Sequence, residues 1–269
     1  MTEPFLQPIS WTEASEQQLV AATRAALANA GIARIARFPS DAWRFINFLS
    51  MFGTPLRYYG DEVGTHPADA AIWRIKYDIA GAKRGDAHAV DGPLSVHSSQ
   101  SLRMPRPRYF SMLMVNSGWQ DRPAGENGES VLVRWSDAFK LMRMQMPTEY
   151  DALVDQLLKP VPFPGTNETR SVAYRLDSAD HEFDLGIRLK GDLLEFLRPT
   201  AASHRAVHAL ECLASATRTV AHVVPLASGD LVLMDNDRWG HGREAVVGHV
   251  MREGKPLINP RELWSVTLG

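Results

Sequence analysis

Apolar positions along the chain repeat first at helical spacing and later at mixed and strand-like spacing. Between Thr12 and Ala30, the positions Leu19, Val20, Thr23, Ala26 and Leu27 share one helical stripe, and Gly31 stands where a left-handed cap would end it. Ile32 to Ile35 reads as a short strand. Ser40 to Met51 reads as a second helix with Trp43, Ile46, Phe48 and Leu49 inward, closed by Gly53 and Pro55. From Tyr58 to Leu94, scattered Gly, Asp and Pro surround one strand-like run, Ala71 to Tyr77, a pattern of loops framing a site rather than of a linker between domains. One domain over 1–269 is expected.

Further strands are predicted at Arg108–Val115, Ser130–Arg134, Arg170–Arg175 and Phe183–Leu189, and then at Ala221–Pro225, Asp230–Met234, Gly248–Arg252 and Leu263–Leu268. Helices are predicted at Ser136–Met144, around Tyr150–Leu158, and from Ser203 to Arg218 with Ala206, Val207, Leu210, Leu213 and Ala214 on one stripe. Short strands without regular βα alternation argue for a β-rich barrel or sandwich with flanking helices. No dinucleotide or phosphate-loop glycine motif occurs.

Composition narrows the partners. With 29 Lys and Arg against 31 Asp and Glu, the formal charge is -2, and no basic run is placed to track a phosphate backbone or an anionic membrane. Neither nucleic acid nor a membrane is an expected partner. Cys212 is the only cysteine, which excludes an intrachain disulfide and Cys-based clusters and suits a reducing compartment. The start, Met1-Thr2-Glu3-Pro4-Phe5, lacks the basic and apolar stretches of an export signal, so a cytoplasmic protein is expected.

The candidate chemistry centres on two histidines far apart in sequence. Gly229 to Arg243 runs from a buried strand through the polar turn Asp235-Asn236-Asp237 to Gly240-His241-Gly242-Arg243, and Leu94-Ser95-Val96-His97 is another strand-like segment ending in a histidine. Each His at a strand end could meet the other on one metal. His204 and His208, four apart on a predicted helix, lack the Glu of a zinc protease motif and read as a solvated face. The Met-rich run Leu141 to Met146 reads as adaptable packing.

Taken in order, Ala30-Gly31-Ile32, Phe52-Gly53-Thr54-Pro55, His97, Pro105 to Tyr109, Gly128-Glu129-Ser130, Asp235-Asn236, His241-Gly242-Arg243 and Arg261 resemble the taurine dioxygenase and clavaminate synthase-like branch of the Fe(II)/2-oxoglutarate oxygenases. The resemblance implies a double-stranded β-helix, a jelly roll of the cupin type, holding iron through a His-x-Asp/Glu pair and a distant His. It implies Fe(II), 2-oxoglutarate and O2 as cofactors, His97 and His241 as metal ligands, and an arginine on the far carboxylate of 2-oxoglutarate. Arg261 matches that arginine best, with Arg252 as the alternative, and Ser130 is the accompanying hydroxyl. Relatives of this kind act on small molecules, free or carrier-bound, often amino acids, and oxidise an unactivated C–H bond. Arg103, Arg188 and Trp239 are candidate substrate contacts.

One position departs from that pattern. Two residues after His97, where the carboxylate ligand would stand, is Ser99, a poor neutral ligand for Fe(II). Three readings stay open at this level. Chloride fills the vacancy, as in related halogenases; or Glu126, Glu129, Asp235 or Asp237 substitutes and ordinary oxidation is kept; or the chain is a non-catalytic small-molecule binder.

Overall fold

The computed structural model describes residues 6–11, 16–57, 64–86, 89–176, 183–199 and 204–269. Its first half runs β1 (Pro8–Ser10), α1 (Glu16–Ala30), β2 (Ile32–Ala36), α2 (Ala42–Ser50), β3 (Pro55–Leu56), β4 (Thr65–His66), β5 (Asp69–Lys76), α3 (Ile79–Arg84), β6 (Leu94–His97), β7 (Tyr109–Asn116), β8 (Ser130–Arg134) and α4 (Trp135–Gln145). Then follow α5 (Tyr150–Leu157), β9 (Pro160–Pro162), β10 (Thr169–Ser171), β11 (Ala173–Arg175), β12 (Leu185–Ile187), α6 (Leu193–Leu197) and α7 (His204–Val220). The chain closes with β13 (His222–Val224), β14 (Leu231–Asp235), β15 (Trp239–Arg243), β16 (His249–Arg252), β17 (Lys255–Ile258) and β18 (Glu262–Leu268).

Two sheets make the frame of a mainly β, jelly-roll fold. The larger has eight strands in the order β1-β2-β14-β7-β18-β5-β4, with β3 added to β18, and the smaller has four in the order β13-β8-β15-β6. Side chains alternate across each strand, so register decides which residues meet between the sheets. On β7, Phe110, Met112 and Met114 join Val232 and Met234 of β14, Leu263 of β18, and Leu132 and Trp239 of the small sheet in one buried cluster. That cluster is the space between the sheets.

The alternate positions face outward onto helices. Leu113, Leu231, Leu233, Val266 and Leu268 pack with Leu19 and Leu27 of α1 and Phe45, Phe48 and Leu49 of α2. Behind the small sheet, Val133 and Trp135 pack with Phe139, Leu153, Leu210 and Leu213 of α4, α5 and α7. Each fully buried aliphatic or aromatic side chain contributes about 1.5–3 kcal/mol, so each helical layer anchors the outer face of its own sheet, while the inter-sheet cluster joins the two. Among the described residues, no helix is long and apolar enough to cross a membrane.

Several sequence expectations are corrected. Trp43 is 73% exposed, because the sheet-facing stripe of α2 runs through Phe45, Phe48 and Leu49, and position 43 lies roughly 200° around the helix from 45. Gly53 does not cap α2; a Cβ there would stand 2.6 Å from the carbonyl of Gly269, so it admits the close approach of the C-terminal strand end. Gly31 does adopt the left-handed conformation predicted, at φ 72°. The buried positions of α7 include Ala209, Ala216 and Thr217 beside Leu210 and Leu213, while Ala206, Val207 and Ala214 are half-buried. Predicted positions 12–15 of the first helix and Ser203 lie outside the described residues. The Arg170–Arg175 strand divides into β10 and β11. Short helices α3 and α6 and strand β17 carried too few periodic residues to be predicted.

The glycines of Gly240-His241-Gly242 serve packing on the outer face of β15. A Cβ on Gly240 would lie 2.2 Å from the Trp135 ring, and one on Gly242 would lie 2.6 Å from the Leu94 carbonyl. Gly240→Ala should therefore cost about 1–3 kcal/mol or more through overpacking. Gly92→Ala, with nothing within 4 Å of the new Cβ, should stay within about 0.5 kcal/mol. Denaturant midpoints of the two variants give the comparison, and equal stabilities would reject this packing of β15.

Candidate active site

Register carries the two histidines to one point. β15 pairs antiparallel with β6, with His241 directly opposite His97, and with β8, with His241 opposite Leu132. Leu132 faces the space between the sheets, so both imidazoles share its face, with ring centroids 4.4 Å apart. Phe110 of the large sheet stacks on His241 at 4.0 Å and 18°, closing the other side.

The ring nitrogens are not equivalent. Nδ1 of His97 lies 2.8 Å from the carbonyl of Ser95, which can only accept, so Nδ1 carries the hydrogen and Nε2 is left with its lone pair. A second hydrogen bond of this kind orients metal-binding imidazoles in general. His241 is buried, and its Nδ1 has no hydrogen-bond partner among the described residues. Burial holds His97 below the ordinary value of 6.5, partly offset by the Ser95 carbonyl. Burial, and then the neighbouring His97, hold His241 well below it. Both rings are neutral donors at neutral pH.

The same alternation brings two arginines into the interior. Arg243 follows His241 by two residues on β15 and stands opposite Ser130 of β8, and Arg261, just before β18, is 4% exposed. Their described partners are backbone carbonyls: Nη2 of Arg243 donates to Val90 and Gly92, and Nη2 of Arg261 donates to Gly128 at 2.8 Å. Gly128, at φ 70°, permits this, since a Cβ there would lie 2.8 Å from Nε of Arg261. Burial pushes Arg243 down to about 10, against Asp91. Burial and then Arg243 push Arg261 down to about 10, against Glu129. Two desolvated cations beside the buried Ser130 hydroxyl lack a contacting carboxylate among the described residues, an arrangement that an anion would relieve.

Four buried polar atoms here have no partner among the described residues: Nδ1 of His241, Nε of Arg243, Nε of Arg261 and Oγ1 of Thr267. Thr267 is the cross-strand partner of Phe110. Buried polar groups are normally matched, so an interior carrying four unmatched ones in neighbouring positions fits a polar guest. Neutral imidazoles suit a divalent transition metal, and forked guanidiniums suit a carboxylate.

No third protein ligand joins the histidines: among the described residues there is no group of three His, Cys, Asp or Glu side chains able to hold a metal. Three of the four carboxylates considered as substitutes are engaged elsewhere, and the fourth, Glu126, is exposed. Glu129 accepts from the backbone of Gly125 and Asn127 and from the Asn127 side chain. Asp235 accepts from the backbone of Asp237 and pairs with Arg238, while Asp237 accepts from the Tyr174 hydroxyl and Arg106. Glu126 belongs to the turn that returns to Pro123. His208 on α7 reaches Glu149 only at 3.9 Å on an exposed surface.

His97 and Ser99 line a cavity of about 920 Å³ whose wall also includes Arg103, Thr166, Glu168, Leu189 and Lys190. Arg103 donates to the Arg57 carbonyl and to Gln100. The other candidates lie apart from that wall. Arg188 stacks 4.1 Å from the centre of the Tyr174 ring and donates to Ser171. Trp239 is packed between the sheets with Nε1 donating to the Ala30 carbonyl, so it braces α1 against β15. Arg252 is exposed on the β16–β17 hairpin opposite Lys255, away from the buried arginines. Arg243, Phe110 and Asn236 belong to the site and carried no role in the sequence reading. The alternation Trp239-x-His241-x-Arg243 was the available signal for Arg243.

No family model matches the chain, and no curated protein does. Solved structures do. Asparagine oxygenase superposes with a TM-score of 0.64 at 17% identity, over 96% of this chain and 79% of that one. The non-haem iron oxygenase OrfP in complex with Fe and alpha-ketoglutaric acid gives 0.60 at 14%, over 96% and 80%. PvcB from Pseudomonas aeruginosa gives 0.59 at 14%, over 95% and 80%. The fold is that of the non-haem iron oxygenases. Within this fold, the two histidines and Arg243 lie on strands of the smaller sheet, and Arg261 immediately precedes β18 of the larger one.

Two outcomes follow from this interior. Between the ordinary imidazole value of 6.5 and the lowered folded values, the unfolded chain binds more protons than the folded one. The histidine contribution to the stability of the metal-free protein is therefore whole above about pH 6.5 and falls as pH drops below it. Denaturation at about pH 7.5 and about pH 5.5 should show a loss that is smaller in His241→Asn; an unchanged loss would reject the buried neutral pair. A small dicarboxylate at a hundred times its dissociation constant should stabilise the fold by about 2.7 kcal/mol. A thermal shift that survives Arg261→Met would place the anion elsewhere.

Proposed function

We propose that this chain is a non-haem iron(II), 2-oxoglutarate-dependent oxygenase that oxidises an unactivated C–H bond of a small, amino-acid-like molecule, acting as one domain. The observation that carries this reading is the row of unmatched interior polar atoms, two neutral imidazoles next to two buried guanidiniums, inside an oxygenase fold. Bound iron and 2-oxoglutarate supply the oxidative chemistry, in which O2 is activated as the co-substrate is converted to succinate and CO2.

The chain's residues supply the arrangement. His97 through Nε2, together with His241, provides two neutral nitrogen donors, and Ser95 fixes the His97 ring by holding its Nδ1 hydrogen. Arg261, supported by Arg243 and Ser130, takes the far carboxylate with its forked donors and regains the hydrogen bonds that burial cost it. Phe110 and the methionines of the inter-sheet cluster keep water from that end. The substrate occupies the cavity bordered by His97 and Ser99, with Arg103 offered to an anionic group. Asparagine oxygenase bound to 2S,3S-3-hydroxyasparagine and OrfP bound to (3S)-hydroxy-L-Arg support an amino-acid-like substrate.

The absence of a third protein donor among the described residues favours a second reading in which chloride takes the position beside Ser99 and the enzyme halogenates. Anaerobic addition of Fe(II) and 2-oxoglutarate separates the cases. A visible charge-transfer band, lost in His97→Ala and in His241→Ala, is expected. A band that chloride shifts favours halogenation, and one indifferent to chloride favours hydroxylation. No band in the unaltered protein would overturn the assignment and leave a small-molecule binder on this fold.

A further inference from the structure

Ser99 is held in place by a side chain from another strand connection. Asn236, 3% exposed, turns both ends of its amide onto the Ser99 backbone. Oδ1 accepts from Ser99 N at 3.0 Å, and Nδ2 donates to the Ser99 carbonyl at 2.9 Å and to the Pro107 carbonyl at 3.3 Å. Ser98 is fixed in the opposite sense: its Oγ donates to the Ile187 carbonyl at 2.6 Å and its N to the Leu189 carbonyl at 3.0 Å. Residue 98 is drawn towards β12 and residue 99 is clamped to the turn between β14 and β15, and His97, Ser98 and Ser99 all line one cavity. Strand β6 ends at His97 and Ser99 opens the turn that follows it, so these hydrogen bonds rather than strand alternation fix where residue 99 stands.

The clamp needs asparagine chemistry. A single side chain must present one acceptor and two donations from the same buried amide, which neither a carboxylate nor an apolar side chain can do. Asn236 also lies on the connection that leads into β15, five residues before His241. The strand connection that delivers one histidine therefore also fixes the residue two beyond the other.

We infer that Asn236 is a positioning residue for the third metal position. It holds residue 99 on the metal-facing side of the cavity, so the chain keeps a formed ligand position whose small hydroxymethyl group leaves room for a ligand from solution. This inference rests on the proposed iron site. A carboxylate placed at residue 99 should then meet the metal without rebuilding of the segment.

Co(II) is a suitable probe, read by its visible d–d bands and its dissociation constant in the full chain. Ser99→Asp should alter the bands and tighten binding, and Asn236→Ala should remove most of that gain, by about 10–100-fold as for other outer-shell partners of metal ligands. A merely structural Asn236 would lower the thermal midpoint and leave the gain and the altered bands intact, which would overturn the inference. So would a Ser99→Asp protein whose bands and affinity match the wild type while both depend on His97. If Asn236→Ala fails to fold, Asn236→Asp, equal in shape but without the Nδ2 donors, takes its place with the same expected loss. Wild-type binding of Co(II) no tighter than that of His97→Ala would remove the iron site itself and the positioning role with it.

Discussion

The register of β15 between β8 and β6 is the constraint on which the interior depends. One strand contributes Trp239, His241 and Arg243 to a single face, and its pairing sets His241 opposite His97 and Arg243 opposite Ser130. A slip of one residue would turn all three outward and bring glycines in. The outer face resists that slip, because Trp135 lies over Gly240 and the Leu94 backbone lies over Gly242. Packing behind the sheet thus specifies chemistry in front of it.

The cost of the site is concentrated in its cations. Arg243 and Arg261 are both nearly inaccessible, and the Arg243 charge adds to burial in lowering Arg261. Backbone carbonyls match part of each guanidinium and leave one Nε apiece without a partner among the described residues. Such desolvation destabilises the folded chain when nothing is bound and strengthens every interaction with an anion that enters. Stability is recovered elsewhere, in the two helix-backed apolar layers on the outer faces of the sheets.

Much of this was legible in the sequence wherever periodicity and order acted together. Most strands and long helices, the paired histidines and the buried Arg261 follow from apolar alternation and from the order of motifs along the chain. What failed did so where one pattern has two physical causes. Trp43 is large and apolar, yet its helical phase places it in solvent. Trp239 adjoins the histidine segment and looks like a pocket wall, but its indole hydrogen is taken by Ala30. Nothing in the local sequence shows that Gly240 makes room for Trp135 and Gly242 for the Leu94 backbone behind the sheet. Asn236 in an Asp-Asn-Asp run reads as an ordinary turn residue, because nothing in local sequence reveals that its amide meets a backbone 137 residues away.

Charge gives the serine at position 99 its meaning. In the proposed complex a divalent metal, two neutral imidazoles and two guanidiniums enclose a dianionic co-substrate, which leaves the buried site cationic. A carboxylate at position 99 would reduce that excess; a hydroxyl does not. In a low-dielectric interior, uncompensated positive charge is expensive, and a mobile anion is the simplest group to enter where a small side chain leaves space. Glu129, Asp235 and Asp237, each committed to its own hydrogen bonds, would have to abandon them to take that role. In the proposed complex, the neutral hydroxyl of Ser99 leaves that electrostatic excess in place, and an anion from solution would offset it.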